Sequence, residues 1–132
     1  MIHDELVTYE VAMLARYRGF NVATEMYYHI YSDKEDSQAS LESTGYGRVF
    51  YNSTNTYRCS APTQSLLQRW LREEKGVEVY VRHFEETNKY PHHFGTIITD
   101  DKGETLKIGG KMFDSYELAL EDALKYALEN LV

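Results

Sequence analysis

Apolar residues recur at helical spacing in three stretches of the chain, and this pattern predicts three helices. The central helix is expected to carry Pro62 at its first helical position and to end at Gly76. Its apolar stripe contains Trp70, the only tryptophan of the chain. The sequence therefore predicts that this helix lies at the centre of the core.

The other two predicted helices lie near the two ends of the chain. The first covers residues 8–18, with Thr8 as its N-cap and Gly19 as the residue that ends it. The last helix is expected to open with a capping box formed by Asp114 and Glu117. Its apolar residues then recur at helical spacing almost to the C-terminus, which favours a helix that lies across a sheet.

Alternation of apolar and polar residues predicts the strands. The expected strands cover residues 23–31, 46–52, 77–81, 93–99 and 105–108. Residues 32–45 are polar and acidic, and they are interpreted as a long loop between the first two strands. Residues 53–60 are interpreted as a polar link, and residues 85–91 as a turn.

These elements predict an α+β fold, in which an antiparallel sheet carries the three helices mainly on one face. The C-terminal half is expected to have the order α-β-β-β-α. A single domain over residues 1–132 is predicted, because two separate halves would each bury little core. The alternative is a subdivision into residues 1–58, with the order α-β-β, and residues 59–132.

Composition places the chain among ordinary globular proteins, with 42% hydrophobic and 27% charged residues. The net charge of −7 repels phosphate backbones and makes nucleic acid an unfavourable partner. A single cysteine excludes an internal disulfide and a cysteine-based zinc cluster. No apolar run has the length of a membrane span, and the N-terminus lacks a signal-peptide pattern, so a cytoplasmic location is predicted.

Few residues have the spacing that catalysis requires. A thiol catalyst would need Cys59 beside a histidine, but a lone cysteine in a polar link is most often a bystander. A zinc site could combine His83 with His92 or His93 and with Asp100, although surface histidines are the commoner explanation. The sequence therefore predicts a protein that is not an enzyme, with no catalytic residue, metal or cofactor.

Tyrosine is abundant, with 12 residues, and its amphipathic ring suits contact surfaces as well as half-covered sheets. Four tyrosines of the predicted strands and turns are candidates for contact with another protein: Tyr27, Tyr31, Tyr80 and Tyr90. A dimer is an open alternative if the sheet exposes an aromatic face.

Two further hypotheses compete with protein binding. The first is nucleic-acid association through a local basic patch on and after the central helix, formed by Arg69, Arg72, Lys75 and Arg82. Neighbouring glutamates reduce the net positive charge of this patch. The second is a small-molecule or metal-dependent enzyme, which would require a deep pocket with convergent polar groups.

The order of elements from residue 62 to residue 131 resembles that of double-stranded-RNA-binding domains, and Gly109 and Gly110 before the last helix add a local similarity. This family binds RNA through a basic cluster that opens its final helix. Here the corresponding position contains Asp114 and Glu117. The resemblance therefore implies a fold and opposes the activity.

Three longer blocks resemble small proteins encoded by phages and prophages of Bacteroides-type bacteria, in the order found in that group. The blocks are TYEVAMLARYRGFN at residues 8–21, APTQSLLQRWLREEKGVEVYV at residues 61–81 and DSYELALEDALKYALENL at residues 114–131. The resemblance implies a phage or mobile-element origin and intracellular expression in the host. The abundant tyrosine and the lack of catalytic motifs, rather than the resemblance, predict a partner protein from the host or the phage. The resemblance provides no catalytic residue.

Overall fold

A computed structural model describes residues 4–30, 39–45, 47–52, 57–83, 94–109 and 111–132. In chain order, the elements within these ranges are α1 (Tyr9–Tyr17), β1 (Met26–Ile30), β2 (Ala39–Ser43), β3 (Arg58–Ser60), α2 (Gln64–Lys75), β4 (Val77–His83), β5 (Phe94–Asp100), β6 (Thr105–Ile108) and α3 (Tyr116–Asn130). All strand pairs are antiparallel. The predicted α+β class and the C-terminal order α-β-β-β-α are confirmed, but the strands form two sheets rather than one.

The chain divides into two compact units. The first-helix unit is Leu6–Thr63 and contains α1 and the sheet β2-β1-β3. The two-helix unit is Gln64–Val132 together with Met1–Glu5, and it contains α2, α3 and the sheet β4-β5-β6. The single domain predicted for residues 1–132 stays a prediction.

Helix α1 begins and ends as the sequence predicts. The Thr8 side chain accepts a hydrogen bond from the Val11 N–H, which satisfies one of the free N–H groups of the first turn. At the other end Gly19 has a φ of 96°, and the Phe20 N–H donates to the Ala15 carbonyl at 2.9 Å. This Schellman arrangement buries Phe20 and fixes the direction in which the chain leaves the helix.

The partner strand of β1 is not where the sequence predicts it. Residues 39–43, within the predicted loop, form β2 and pair with β1, whereas the described part of residues 46–52 makes only an isolated bridge between Phe50 and Thr24. Strand pairing requires only backbone groups, so a short polar segment can serve as an edge strand. Gly47, with a φ of 72°, interrupts the predicted strand.

Strand β3 lies at the edge of its sheet inside the predicted polar link, and side chains bind its outward backbone groups. Asn52 accepts a hydrogen bond from the Ser60 N–H at 2.8 Å and donates to the Phe20 carbonyl at 2.7 Å. The Arg16 guanidinium donates to the Arg58 carbonyl at 3.0 Å. These contacts block further pairing along β3 and tie it to the end of α1.

In the two-helix unit, α2 and α3 pack on the sheet and on each other. Val77, Val79 and Ile98 share the buried face, and Trp70 of α2 is only 7% exposed, as predicted. The buried Gln64 side chain donates to the Glu117 carbonyl and to a Glu121 carboxylate oxygen, both at 2.9 Å, and so joins the two helices.

Both helix starts in this unit differ from the prediction. Helix α2 begins at Gln64 rather than Pro62, because the Pro62 carbonyl accepts from the Val7 N–H and the residues around it pair in an extended bridge. The N-cap of α3 is Ser115, whose hydroxyl accepts from the Leu118 N–H at 3.1 Å, and not Asp114. Serine and aspartate are equally good caps, so composition alone does not choose between adjacent residues.

Gly109 lies too close to β5 for any side chain. Its N–H donates to the Thr96 carbonyl at 2.9 Å, and a Cβ atom at this position would lie 2.4 Å from the Thr96 Oγ1. Thr96 is buried and cannot simply move away. The close approach therefore explains the glycine at this position.

We expect Gly109→Ala to lower the free energy of unfolding by about 1–3 kcal/mol through overpacking. In a Thr96→Ala background, which removes the clashing hydroxyl, Gly109→Ala should lower the free energy of unfolding by clearly less. Urea unfolding of the four proteins in this double-mutant cycle measures the difference. Equal costs in both backgrounds would contradict the steric explanation.

Candidate functional site

The four tyrosines predicted as contact residues have different surroundings. Tyr27 is only 8% exposed. Its ring centroid lies 5.4 Å from that of Phe50, and the Arg58 guanidinium lies over the ring, 4.9 Å from its centroid. The prediction of Tyr27 as a contact residue is therefore corrected, because β1 is the central strand of its sheet and the ring is covered. Tyr80 is 50% exposed. Tyr31 and Tyr90 lie outside the described residues.

Tyr80 lies in a row of apolar side chains that crosses the sheet of the two-helix unit. It pairs in register with Ile97, which in turn pairs with Ile108. This face is opposite to the one that carries Val79 and Ile98. Tyr80 therefore stays a candidate contact residue.

Burial also changes the acidity of Tyr27. Its removal from water raises the pKa of the hydroxyl above its usual range, and a hydrogen bond with Glu42 acts in the same direction. The opposing charge of Arg58 lowers the pKa by less. Tyr27 is therefore a protonated structural residue at neutral pH.

The basic patch predicted for nucleic acid is largely occupied by contacts within the chain. Arg69 pairs with Glu73 at 3.0 Å, and Arg72 pairs with Glu78 at 3.4 Å. The Lys75 ammonium group lies 5.4 Å from the Trp70 ring centroid, and Arg82 is exposed on β4. Carboxylates beside the arginines reduce the attraction that a phosphate backbone requires.

Cys59 is fully buried in β3. Burial raises the pKa of its thiol to about 12, and the nearby charge of Arg16 lowers it only in part. The thiolate, which is the nucleophilic form, is therefore scarce at neutral pH. This arrangement opposes a role for Cys59 as a catalytic nucleophile.

The raised pKa of Cys59 has a consequence for alkaline stability. Because the folded-state pKa of about 12 lies above the ordinary value of 9.0, the folded protein retains a proton that the unfolded chain releases. Stability from this group is complete below about pH 9 and is lost as the pH rises toward 12, by at most about 1.4 kcal/mol per pH unit. We expect Cys59→Ala to flatten the decline between about pH 9 and about pH 10.

Urea unfolding over this pH range, compared with that of the unchanged protein, measures the slope. Tyr27→Phe is the control, because the pKa of Tyr27 is also raised but starts from 10.0, so its effect begins at higher pH. A slope unchanged by Cys59→Ala would contradict the burial of the thiol.

The predicted zinc ligands are not brought together within the described residues. His83 packs against the Phe94 ring at 4.9 Å, and an Asp100 carboxylate oxygen accepts from the N–H groups of Lys102 and Glu104. His92 and His93 lie outside the described ranges. In the part of the chain that the structure describes, no group of three or more histidine, cysteine or acidic side chains could hold a metal ion.

Arginines and tyrosines that were not predicted as site residues lie at the C-terminal end of α1 and the start of β3. We call this group the arginine–tyrosine cluster; its members are Arg16, Tyr17, Arg18, Tyr57 and Arg58. The hydrogen bond from Arg16 to the Arg58 carbonyl brings the two segments together. Tyr17 is 82% exposed and Tyr57 is 66% exposed.

Hydrogen bonds hold the backbone at the end of α1 and in β3. The Schellman turn at Gly19 fixes the end of α1, and Asn52 fixes β3. The Arg18 guanidinium lies 5.6 Å from the Tyr17 ring centroid. Tyr57 adjoins β3, and its carbonyl accepts a hydrogen bond from the Ile30 N–H at 2.7 Å.

Charge is distributed unequally between the two units. The two-helix unit holds 15 of the 21 acidic and 9 of the 14 basic side chains, a net charge of −6. The first-helix unit holds the other 6 acidic and 5 basic side chains, a net charge of −1. The cluster thus lies in the less acidic part of an acidic protein.

Its sequence signals were the tripeptide Arg16-Tyr17-Arg18 and the dipeptide Tyr57-Arg58. The arginines near Gly19 also satisfy the helix dipole, which is a sufficient structural explanation for them. Tyr57 lies beside the segment interpreted as a polar link, where no strand was expected. Only the pairing of β3 with β1 shows that the two signals meet.

No protein-family model matches the chain, and no similar curated protein or solved structure was found. Fold and site together define the class: an α+β protein of two compact units with an arginine–tyrosine cluster on one of them. Among the described residues, no helix is both long enough and apolar enough to cross a bilayer.

Proposed function

We propose that this chain is a non-enzymatic binding or regulatory protein of phage or prophage origin, which contacts a partner protein through the arginine–tyrosine cluster. The observation that carries the proposal is the exposure of Tyr17 and Tyr57 beside three arginines on a fixed backbone. Tyrosine and arginine are enriched among the residues that dominate binding energy at protein interfaces. The mobile-element origin rests on the resemblance of the three sequence blocks.

The cluster has the properties of an anchor. A tyrosine ring contributes a large contact area and loses little conformational freedom on binding, since it has only two side-chain torsions. An aromatic ring that is mostly exposed in the free protein can be buried further against a partner, and this burial adds to affinity. Nucleic-acid binding through Arg69, Arg72, Lys75 and Arg82 has less support, because two of these arginines pair with glutamates.

Affinity capture from lysates of Bacteroides-type cells tests the proposal. The unchanged chain should retain a specific protein, identified by mass spectrometry, and the double variant Tyr17→Ser/Tyr57→Ser should lose it. Both tyrosines are exposed, so this variant should remain folded. Tyr80→Ser serves as the comparison, because Tyr80 is the contact residue that the sequence predicts and the structure leaves exposed.

Loss of the partner with Tyr80→Ser and its retention with the double variant would place the contact on the other unit and contradict the proposal. Retention by all variants, or turnover of a substrate without any partner, would contradict it as well. Circular dichroism of each variant establishes that a lost partner does not reflect a lost fold.

A further inference from the structure

We infer that Asn52 is the positioning residue of the arginine–tyrosine cluster: its buried side chain sets the separation between Tyr17 and Tyr57 that a partner protein must match. This role rests on the proposed function, because it concerns how the same two tyrosines are held. Asn52 itself is only 8% exposed, so it acts on a partner through the two segments that carry the rings.

The two tyrosines belong to segments that are distant in the sequence. Tyr17 is the last residue of α1, and Phe20 follows it after the turn at Gly19. Tyr57 directly precedes β3, whose last residue is Ser60. The separation of the two tyrosines therefore depends on contacts that join the end of α1 to β3.

Asn52 joins both segments through one side-chain amide. Its nitrogen donates to the Phe20 carbonyl at 2.7 Å, and its oxygen accepts from the Ser60 N–H at 2.8 Å. The amide group is short and planar, so the two backbone groups can lie only as far apart as its nitrogen and oxygen reach. Both hydrogen bonds are buried, where a backbone group left without a partner is costly.

The backbone that carries Asn52 is also tied to the sheet of the first-helix unit. Phe50 and Thr24 form a bridge in which each N–H donates to the other carbonyl, at 2.8 Å and 3.0 Å. Both residues are buried, and Thr24 lies just before the central strand β1. The Asn52 amide therefore holds the end of α1 and β3 from a point that is itself paired with the chain entering the sheet.

A second hydrogen bond joins the same two segments, from the Arg16 guanidinium to the Arg58 carbonyl at 3.0 Å, but it is exposed. Water can replace an exposed hydrogen bond at little cost, so the buried bonds of Asn52 restrict the segments more strongly. Without them, the segments would have to be ordered again when a partner binds, and this ordering would lower the affinity.

Electron paramagnetic resonance of the full chain, with nitroxide labels on Tyr17→Cys and Tyr57→Cys, measures the separation directly. Both positions are exposed, whereas the buried Cys59 should take no label. We expect a narrow distribution of distances between the labels when Asn52 is present and a clearly broader one with Asn52→Ala.

Val11→Ala is the matched control, because Val11 is buried in α1 but takes no part in the bridge. It should destabilise the same unit and leave the distance distribution narrow.

Asn52→Asp provides a second test if Asn52→Ala does not fold. Its carboxylate cannot donate to the Phe20 carbonyl at neutral pH, so the distribution should be broad there and should narrow when acid protonates the carboxyl group. The labelled chain with Asn52 should stay narrow over the same pH range.

The affinity for the protein retained in the affinity capture gives a second readout. Asn52→Ala should weaken this binding by about tenfold, whereas Val11→Ala should leave it unchanged. Circular dichroism establishes that each variant is folded under the conditions of the binding measurement.

An unchanged distance distribution with Asn52→Ala would overturn the inference. Equal broadening with Val11→Ala, or a broader distribution without any loss of affinity, would overturn it as well. None of these results would remove Tyr17 and Tyr57 as contact residues if the capture still depends on them. If the unchanged chain captures no protein, the proposed function fails, while the distance measurement still decides whether Asn52 positions the two segments.

Discussion

Asn52→Ala should lower the free energy of unfolding by about 2–4 kcal/mol, since it leaves two buried backbone groups without partners. The Asn52 amide donates to the Phe20 carbonyl and accepts from the Ser60 N–H, and the side chain is buried. When its hydrogen-bond partner is removed, each remaining buried backbone group loses the interaction that compensates the free-energy cost of its desolvation. Urea unfolding followed by far-ultraviolet circular dichroism measures the change.

Asn130→Ala is the matched control, because the Asn130 amide also donates to a backbone carbonyl, that of Tyr126, but at the surface. Its cost should stay below about 0.5 kcal/mol. Asn52→Asp adds a pH test. The carboxylate can accept from Ser60 but cannot donate to Phe20, so this variant should be unstable at neutral pH and should recover as acid protonates the carboxylate. Equal costs for Asn52→Ala and Asn130→Ala would contradict the buried position of Asn52.

Trp70→Ala should have the largest effect in the two-helix unit, a loss of about 3–5 kcal/mol. The indole is 7% exposed in the middle of α2, and its removal leaves a cavity that the neighbouring helix and sheet fill only in part. Urea unfolding again provides the measurement. The tryptophan fluorescence of the unchanged chain should shift to longer wavelength on unfolding.

Lys75→Ala separates packing from the contact between the ammonium group and the ring. It removes only a cation–π interaction at the helix surface, which is worth about 0.5–1 kcal/mol. Leu118→Ala is the second control, because Leu118 is an exposed apolar residue of α3 and its loss should be nearly neutral. If Trp70→Ala costs no more than Leu118→Ala, the indole does not lie in the core.

The elements that were predictable from the sequence are those with strong periodic patterns. Three patterns are each compatible with only one kind of local structure: the apolar stripe around Trp70, the glycine that ends α1 and the alternating valines of β4. The structure contains all three elements. In each case a buried face or a special backbone conformation leaves little choice to the chain.

Strands β2 and β3 were not predictable in the same way. Ala39–Ser43 and Arg58–Ser60 are short, and β2 is mostly polar, so their side chains carry little pattern. They are held by backbone pairing with β1 and, for β3, by Asn52 and Arg16 from elsewhere in the chain. Whether such an edge strand forms depends on contacts with residues that are distant in the sequence, and the local sequence gives no information about these contacts.

The candidate site was missed for the same reason. The aromatic composition of its strand favours Tyr27 as a contact residue, but Tyr27 lies on the central strand, where Phe50 and Arg58 cover its ring. Tyr17 and Tyr57 are exposed because they lie at the end of a helix and next to an edge strand. The exposure of a tyrosine side chain depends on its position in the tertiary structure, and the residue type indicates only the average tendency to be buried.

Nitration of tyrosines by tetranitromethane, mapped by peptide mass spectrometry, tests the central claim most directly. In the free protein, Tyr17 and Tyr57 should react first and Tyr27 last, because Tyr27 is buried and its pKa is raised. In the complex with the captured partner, the yields at Tyr17 and Tyr57 should fall, and the yield at Tyr116 should not change. Protection of Tyr80 with undiminished nitration of Tyr17 and Tyr57 would contradict a contact through the arginine–tyrosine cluster.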